Sequence, residues 1–224
     1  MTRPIAVLRP EPGNSATCAR VRTAGGYAIA LPLFEIAALN WTPRDPASFD
    51  ALILTSANAV RAGGQALTRY TGLPVYAVGT ATARTAETAG FAVLAIGSDD
   101  ARALISAAAA DGVTRALHLG GRETGVVASG IVAASIAVYA SEAIEIAPEP
   151  LQALIGATAL LHSARAAARL AQMVDHYGID RAMIALAAIS PSVAQAAGPA
   201  WRQVAIPAHP NDAALIAAAL AAGD

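Results

Sequence analysis

Short apolar runs alternate along the chain with alanine-rich segments. The runs are rich in Val, Ile, Leu and Ala throughout, whereas the segments between them repeat their apolar residues at helical spacing. Wholly apolar strands that alternate with helices are typical of β-α-β units around a parallel sheet. The pattern predicts strands over residues 5–8, 28–31, 51–54, 75–78, 92–96, 116–119, 136–139, 159–161, 183–189 and 203–206.

Helices are expected in the intervening segments. Many of these segments follow a Ser, Thr, Asn or Asp that can cap a helix N-terminus. The predicted helices begin near Ser15, Ala57, Thr80, Asp99, Gly125, Pro150, Ala164, Pro191 and Asn211.

The sequence also repeats itself at an offset of about 107 to 111 residues. Residues 29–35 resemble 136–142 at an offset of 107, and residues 104–105 resemble 215–216 at an offset of 111. This repeat is far longer than a solenoid module, so it indicates two copies of one unit. We therefore predict an α/β fold in which a pseudo-twofold internal duplication gives two doubly wound, flavodoxin-like lobes. Each lobe has a five-stranded parallel sheet, and function is expected in the cleft that the lobes form.

Two extended stretches suggest where the chain passes from one lobe to the other. Residues 32–43 and 140–150 lie at matching positions in the two repeats and contain prolines in place of helical periodicity. If both are crossings, lobe one is discontinuous, with residues 1–33 plus 148–224, and lobe two is 44–139. Residues 34–43 and 140–147 would then be two extended linker strands. The alternative is a pair of contiguous domains divided near Asp111.

The composition of the chain indicates the cellular compartment in which the protein is expected. The 55% hydrophobic content and 14% charged content favour buried sheets over disorder. Every apolar run is too short to span a bilayer, and the run at 5–8 is too short for a secretory signal. The single cysteine, Cys18, excludes an internal disulfide, so we expect a soluble cytoplasmic protein.

The basic residues are all Arg. The absence of Lys excludes a Walker A loop, a pyridoxal-phosphate Schiff base and any lysine nucleophile. A net charge of −1 provides no overall field that would attract nucleic acid. An anionic partner must therefore be held locally, by Arg side chains and backbone N–H groups.

Conventional active-site motifs are absent. Residues 120–125 lack the G-x-G-x-x-G spacing of a dinucleotide site, and no G-x-S-x-G elbow occurs. The four histidines, His118, His162, His176 and His209, have no metal-ligand spacing, so no metal site is predicted.

Ligands of open parallel sheets bind beyond the carboxyl ends of the strands, where helix N-termini offer unpaired N–H groups. The residues predicted at those ends are mainly hydroxylated residues, glycines and arginines, which suit an anion. Tyr139 lies where a strand leaves lobe two, and its phenol could donate a proton. The Ser and Thr residues could instead be helix caps only. The predicted binding residues are Arg9, Thr55, Ser56, Gly79, Thr82, Gly120, Arg122, Ser163, Ser190 and Ser192.

The order and spacing of several stretches resemble the uroporphyrinogen-III synthase family, and they cover nearly the whole chain. Two positions depart from the family pattern. His162 stands where an aromatic residue or Thr is common before the Ser, and Val193 follows Ser192 where some members have a second hydroxyl. The resembling stretches are residues 7–11, 31–35, 50–60, 78–83, 136–139, 161–163 and 188–192.

The resemblance implies a cofactor-independent enzyme with two lobes joined by a two-stranded ladder. A monomer is expected, because the internal duplication already supplies the pairing that a homodimer would provide. Its substrate would be hydroxymethylbilane, a linear tetrapyrrole with eight carboxylates, and the preceding pathway enzyme would be a transient partner. The reaction implied is loss of the ring A hydroxyl as water, formation of an azafulvene, and closure through a spiro intermediate that inverts ring D. The product, uroporphyrinogen III, feeds haem, sirohaem, cobalamin and chlorophyll-type pathways.

By the same resemblance, Tyr139 would assist departure of the hydroxyl. Substrate contacts would come from Thr55, Ser56, Thr82, Ser163, Ser190 and Ser192. Two rival interpretations remain at the level of sequence. A two-lobed small-anion binding module would share the hydroxylated cleft, and a nucleotide-dependent transferase would lack the usual glycine pattern and Lys.

Overall fold

The structure is a computed structural model that describes residues 3–97 and 100–221. Its contacts divide the chain into two compact units. Unit one comprises the described residues up to Glu35 together with those from Ala143 onward, and unit two is Ile36–Glu142.

Eleven strands occur among the described residues, and they alternate with helices. The strands are β1 (Ile5–Val7), β2 (Ala28–Ala30), β3 (Phe34–Ala38), β4 (Ala51–Leu54), β5 (Val75–Val78), β6 (Val93–Gly97), β7 (Ala116–Gly121), β8 (Val132–Ala143), β9 (Thr158–Leu161), β10 (Ala185–Ala188) and β11 (Gln203–Ala205). The α-helices are α1 (Gly13–Thr23), α2 (Ala57–Ala62), α3 (Thr80–Thr88), α4 (Ala101–Ala110), α5 (Pro148–Gln152), α6 (Ala164–His176), α7 (Pro191–Ala197) and α8 (Asp212–Ala221). Short 3₁₀ turns lie at Pro46–Ser48, Gln65–Tyr70 and Arg181–Met183.

Unit one contains a five-stranded sheet with the order β11-β10-β9-β1-β2, in which every pair is parallel. Alternate residues of a strand face opposite sides of the sheet, and both sides are covered. Leu8 and Leu161 pack into one core cluster, whereas Ile5 and Leu160 pack into the other. Burial on both sides explains why these strands are apolar at every position.

The sheet of unit two has the order β3-β8-β7-β4-β5-β6. The pairs among β4, β5, β6, β7 and β8 are parallel. The β3 segment runs antiparallel to β8, because Leu39 N–H donates to Val138 O while Ile144 N–H donates to Leu33 O. Residue numbers therefore rise along one segment as they fall along the other.

The prediction of mixed α/β architecture with parallel sheets is confirmed, but three details were wrong. The second sheet has six strands instead of five, because residues 34–38 join it beside β8. The strand predicted over 183–189 is shorter, since Arg181–Met183 forms a 3₁₀ turn capped by Asp180. The strand predicted over 136–139 is longer, spanning Val132–Ala143.

No helix begins near Gly125, which is a fourth correction. Residues 122–131 form turns and an isolated bridge between Ser129 and Val132. Gly130 adopts a φ of 55°, which turns the chain back toward β8 and is incompatible with a helix. The helix start predicted near Asp99 lies outside the described residues, and α4 begins at Ala101. The other helix starts differ from the prediction by at most two residues.

Among the described residues, none of the helices has the length and apolarity needed to cross a bilayer. Cys18 is buried in α1, against the core cluster that contains Ile5 and Val7.

Candidate functional site

Residues of unit two that were predicted to contact a ligand meet where β4 and β7 end, beside Tyr139 of β8. Leu54 of β4 pairs with Leu119 of β7, so Thr55, just after β4, lies level with Gly120 near the end of β7. Gly121 of β7 pairs with Tyr139 of β8. Because parallel strands end at one edge of the sheet, these side chains share that edge.

A hydrogen-bonded network that the sequence did not predict starts at Thr55. Thr55 Oγ1 lies 3.1 Å from His118 Nε2, and His118 Nδ1 lies 2.8 Å from Ser135 Oγ. The pairing register of β4, β7 and β8 explains why these three side chains meet. His118 pairs with Ile53 on one side and with Ser135 on the other, and Thr55 is two residues beyond Ile53, so all three side chains share one face of the sheet.

The hydrogen bonds of the network assign the proton positions. The Ser135 hydroxyl donates its single proton to Val126 O at 3.0 Å, so it can only accept from His118 Nδ1. Burial lowers the pKa of the His118 imidazole to about 4, which keeps the ring neutral at pH 7. His118 Nε2 therefore has a free lone pair, and Thr55 Oγ1 donates its proton to it.

Thr55 also lines a cavity of about 510 Å³ that lies wholly within unit two. Ile105, Val126 and Val132 form apolar parts of its wall, and Arg102 lies at its rim. In the described part of the chain, the Arg102 guanidinium has no hydrogen-bond or ion-pair partner; its backbone N–H donates to Asp100, and its backbone carbonyl accepts from Ser106 Oγ. The remaining lining residues are Asp100, Ala101, Thr124, Gly125, Val127 and Ser129.

The two glycines at the end of β7 are required by neighbouring rings. A β-carbon at Gly120 would lie 2.5 Å from His118 Cε1, and one at Gly121 would lie 2.8 Å from Tyr139 Cζ. Real side chains do not approach so closely, so any larger residue would displace the ring. Gly120 was predicted as a binding residue; the structure shows that it makes room for His118.

The ring of Tyr139 is packed against protein, whereas its hydroxyl has no hydrogen-bond partner among the described residues. The ring packs against the core cluster of unit two and over Gly121. Within the residues that the structure describes, the phenolic hydroxyl makes no hydrogen bond to protein. A phenol in this state can donate to a ligand without losing a protein contact.

The other predicted residues of unit two have different environments. Ser56 caps α2 by accepting from Asn58 N–H, and Gly79 precedes α3 with a φ of 77° that favours glycine. Thr82 is buried in α3, with 5% of its surface exposed. Arg122 is half exposed and pairs with Glu142 at 2.8 Å and with Glu123 at 3.3 Å.

In unit one, Asp212 is the centre of a second polar network. Its carboxylate lies 2.6 Å from His162 Nε2 and 3.0 Å from Arg20 Nη1, and it accepts from Thr17 Oγ1 at 2.9 Å. Arg9 Nη1 is 3.6 Å away. Burial acts to raise the pKa of Asp212, but the hydrogen bonds from His162 and Thr17 outweigh it, so the pKa is lowered. Burial also disfavours the charged form of the Arg9 guanidinium, and it therefore lowers the pKa of Arg9.

Two of the three predicted serines of unit one are helix caps. Ser163 Oγ accepts from Ala166 N–H at the start of α6, and Ser190 Oγ accepts from Val193 N–H at the start of α7. Ser192 Oγ lies 3.0 Å from Ser190 Oγ. The capping interpretation therefore describes both Ser163 and Ser190, and it does not prevent their helix N-termini from binding an anion.

Sequence reasoning missed His118, Ser135 and Asp212. A sequence signal existed for His118, because it is the single polar residue in the apolar run 116–119. Asp212 gave no such signal, since it contacts residues about 50 and 190 positions away. The described residues contain no group of three or more His, Cys, Asp or Glu side chains that could hold a metal ion.

Comparison with known proteins shows the family to which the chain is related. The family model for uroporphyrinogen-III synthase HemD matches residues 15–217, nearly the whole length. The chain belongs to the uroporphyrinogen-III synthase family. No curated protein matches the sequence at a significant level.

Solved structures of synthases show the same fold. The uroporphyrinogen-III synthetase of Helicobacter pylori is 18% identical, with a TM-score of 0.64 over 98% of this chain and 99% of that chain. A mutant uroporphyrinogen III synthase of Thermus thermophilus is 16% identical, with a TM-score of 0.54 over 90% of this chain and 92% of that chain. At these identities, the likeness concerns the fold.

Proposed function

We propose that this chain converts the linear tetrapyrrole hydroxymethylbilane into uroporphyrinogen III, with loss of water and inversion of ring D, in tetrapyrrole biosynthesis. The family match over residues 15–217 is the observation that carries this function. The edge of the sheet in unit two supports it, because Thr55, which follows β4, and Tyr139 of β8 lie there on the two strands that flank β7.

The reaction requires positioning more than strong acid or base catalysis. The linear substrate can close without inversion by itself, so the enzyme must bring the substituted carbon of ring D to the reactive centre. Orientation of reacting groups can contribute several kcal/mol, on the order of 7–11 in favourable cases. Hydroxyl groups, helix N-termini and arginines at the strand ends suit this task, because they bind an extended polyacid at many points.

Tyr139 is the group that we propose for the first chemical step. Its hydroxyl would give its proton to the leaving hydroxyl of ring A as the C–O bond breaks, so that water departs, and loss of the ring A N–H proton would then give the azafulvene. The unbonded phenol and the fixed ring of Tyr139 support this role. The substituted carbon of ring D would then attack the azafulvene to give the spiro intermediate.

Arg9 and Arg122 are proposed to bind substrate carboxylates. Arg122 is half exposed, and its pairing with Glu142 leaves N–H groups of the guanidinium available. The pairing of Arg9 with Asp212 is longer, at 3.6 Å. The helix N-termini at Ser56, Gly79, Ser163 and Ser190, with Ser192 beside the last, would provide backbone N–H groups for other carboxylates.

We further propose that the two units are the duplicated lobes of a cytoplasmic monomer, linked by paired strands at 34–43 and 140–147. The 107-residue offset and the hydrogen bonds between the β3 and β8 segments support this arrangement. Thr82 would take part only indirectly, since it is buried in α3.

The function is tested by incubating the protein with hydroxymethylbilane generated enzymatically and then separating the isomers of the oxidised product. The type III isomer is expected. A reaction without the protein should give type I, formed by spontaneous closure. Type I alone in the presence of the folded protein would refute the proposal and favour a binding module.

A further inference from the structure

The proton of the Thr55 hydroxyl is already used inside the protein. Ser135 donates a hydrogen bond to Val126 O, His118 Nδ1 donates to Ser135, and Thr55 donates to His118 Nε2. Each hydroxyl has one proton and the buried His118 ring is neutral, so the direction of every hydrogen bond in this series follows from the first.

Thr55 consequently presents only lone pairs to the cavity that it lines. A carboxylate would meet those lone pairs with its own and be repelled, whereas an N–H group would find an acceptor. The hydroxymethylbilane substrate of the proposed function has both kinds of group, because each pyrrole ring has one N–H and acidic side chains. The cavity of about 510 Å³ can accommodate one such ring.

We propose that His118 is a positioning residue that fixes Thr55 as a hydrogen-bond acceptor for a pyrrole N–H of the substrate. This inference rests on the proposed function and refines it, since it separates Thr55 from the groups that bind carboxylates. The charge on Arg102, at the rim of the same cavity and without a partner among the described residues, suits an acidic side chain of that ring.

Burial explains why His118 can act on a ligand only through Thr55. The His118 side chain is 0% exposed, so it cannot contact a ligand itself. Hydrogen bonds at both nitrogens hold the His118 ring in place, and the lack of a side chain at Gly120 leaves room for it. These hydrogen bonds fix the orientation of the Thr55 lone pairs before a ligand binds, which lowers the entropic cost of binding.

The test combines a kinetic cycle with a spectroscopic measurement. His118→Phe keeps a planar ring over Gly120 and removes both nitrogens, and Thr55→Val removes the hydroxyl. Each single variant should raise KM for hydroxymethylbilane about threefold to tenfold, with a smaller change in kcat. In the double variant the two effects should not multiply, because His118 acts through Thr55.

Controls separate this role from a general loss of structure. Thr55→Ser retains the hydroxyl, so its KM should lie nearer that of the unaltered protein than that of Thr55→Val. Thr88→Val removes an exposed hydroxyl at the end of α3, one that is bonded to Arg84 O, and should leave KM unchanged. If the effects of Thr55→Val and His118→Phe multiply in the double variant, His118 does not act through Thr55 and the proposal is overturned.

The second measurement needs no activity. Nitrogen-15 NMR of the unaltered protein at pH 7 should show His118 as one neutral tautomer with the proton on Nδ1, and Ser135→Ala should shift it toward a mixture. The signals are assigned by their loss in His118→Phe, or in His118→Gln if the first variant does not fold. A proton on Nε2 would overturn the proposal even if the protein makes the type III isomer. Conversely, failure to make that isomer would refute the proposed function while the tautomer remained as described.

Discussion

The imidazole ring of His118 occupies the space that a side chain at Gly120 would need. A β-carbon at residue 120 would lie 2.5 Å from His118 Cε1 and 2.8 Å from Nε2. The two residues are on the same strand, two positions apart, and therefore face the same side of the sheet. The glycine and the buried histidine thus depend on each other.

Gly120→Ala is expected to destabilise the protein, because the added methyl group forces the His118 ring away from Thr55 and Ser135. The free energy of unfolding should fall by about 1–3 kcal/mol, the usual cost of overpacking a core. Denaturation in urea measures this change. Gly125→Ala is the matched control, since a β-carbon there meets nothing within 4 Å and it should be neutral. Equal stability of the two variants would contradict the packing described here.

The stability of unit two should fall as the pH is lowered from 6.5 to 4. Burial lowers the pKa of His118 from 6.5 to about 4, so the unfolded chain binds a proton that the folded protein does not. His118 therefore causes no loss of stability above pH 6.5, and the loss grows to about 3 kcal/mol near pH 4. Urea denaturation at a series of pH values measures it. In His118→Phe this part of the slope should vanish, and an unchanged slope would mean that His118 is not the group responsible.

Tyr139→Phe is expected to reduce turnover of hydroxymethylbilane without unfolding the protein. The ring still packs over Gly121, and the lost hydroxyl makes no hydrogen bond to the described protein. If the phenol assists departure of the leaving hydroxyl, kcat should fall about 100-fold, the lower end of general acid catalysis. Tyr27→Phe, on an exposed ring, should retain full activity. Unchanged kinetics for Tyr139→Phe would exclude Tyr139 from the mechanism.

Arg9→Ala and Arg122→Ala should raise KM more than they lower kcat. Each removes a cation that binds substrate carboxylates in the ground state and in the transition state alike. An increase in KM of up to about tenfold is expected for Arg122, which is half exposed, since the lost hydrogen bond to a carboxylate is a charge-assisted one. Arg202→Ala, which alters an exposed arginine elsewhere, is the control. A fall in kcat at constant KM would instead indicate a chemical role.

Asp212→Asn tests the polar network of unit one. The amide nitrogen cannot replace the carboxylate oxygen that faces Arg20, and the charge that offsets Arg9 is lost. The free energy of unfolding at pH 7 should fall by about 1–3 kcal/mol. The pKa of Asp212 is lowered in the folded protein, so the difference from the unaltered protein should shrink as the pH falls toward that pKa. Glu87→Gln, on the exposed surface of α3, should show no such difference.

Local sequence patterns predicted most strands and the capped helix starts. The strands at Ala51–Leu54 and Val75–Val78 match their predicted bounds, because burial on both faces leaves an apolar run between turn residues. The helix predicted near Gly125 failed because a Thr, two glycines and a Ser in that segment favour turns, and no packed face compensates.

The candidate site was predicted only in part, because its hydrogen bonds join distant segments. Thr55 was predicted from the rule that ligands bind at the carboxyl ends of strands, and Tyr139 from its place where a strand was expected to leave lobe two. The partner of Thr55, His118, is 63 residues away, and Asp212 bonds to Thr17 across 195 residues. Pairing register and helix docking bring these groups together, and neither can be read from neighbouring residues.

By itself, the sequence determined the family, the parallel α/β architecture and the edge of each sheet at which ligand groups would lie. Those features follow from local spacing, since hydrophobic periodicity and capping residues act within a few turns of chain. Only the tertiary structure decided that residues 34–38 add a sixth strand, that Gly120 serves His118, and that the Thr55 proton points inward. Each of these depends on which strands become neighbours, and strand neighbours are chosen by the packing of the whole unit.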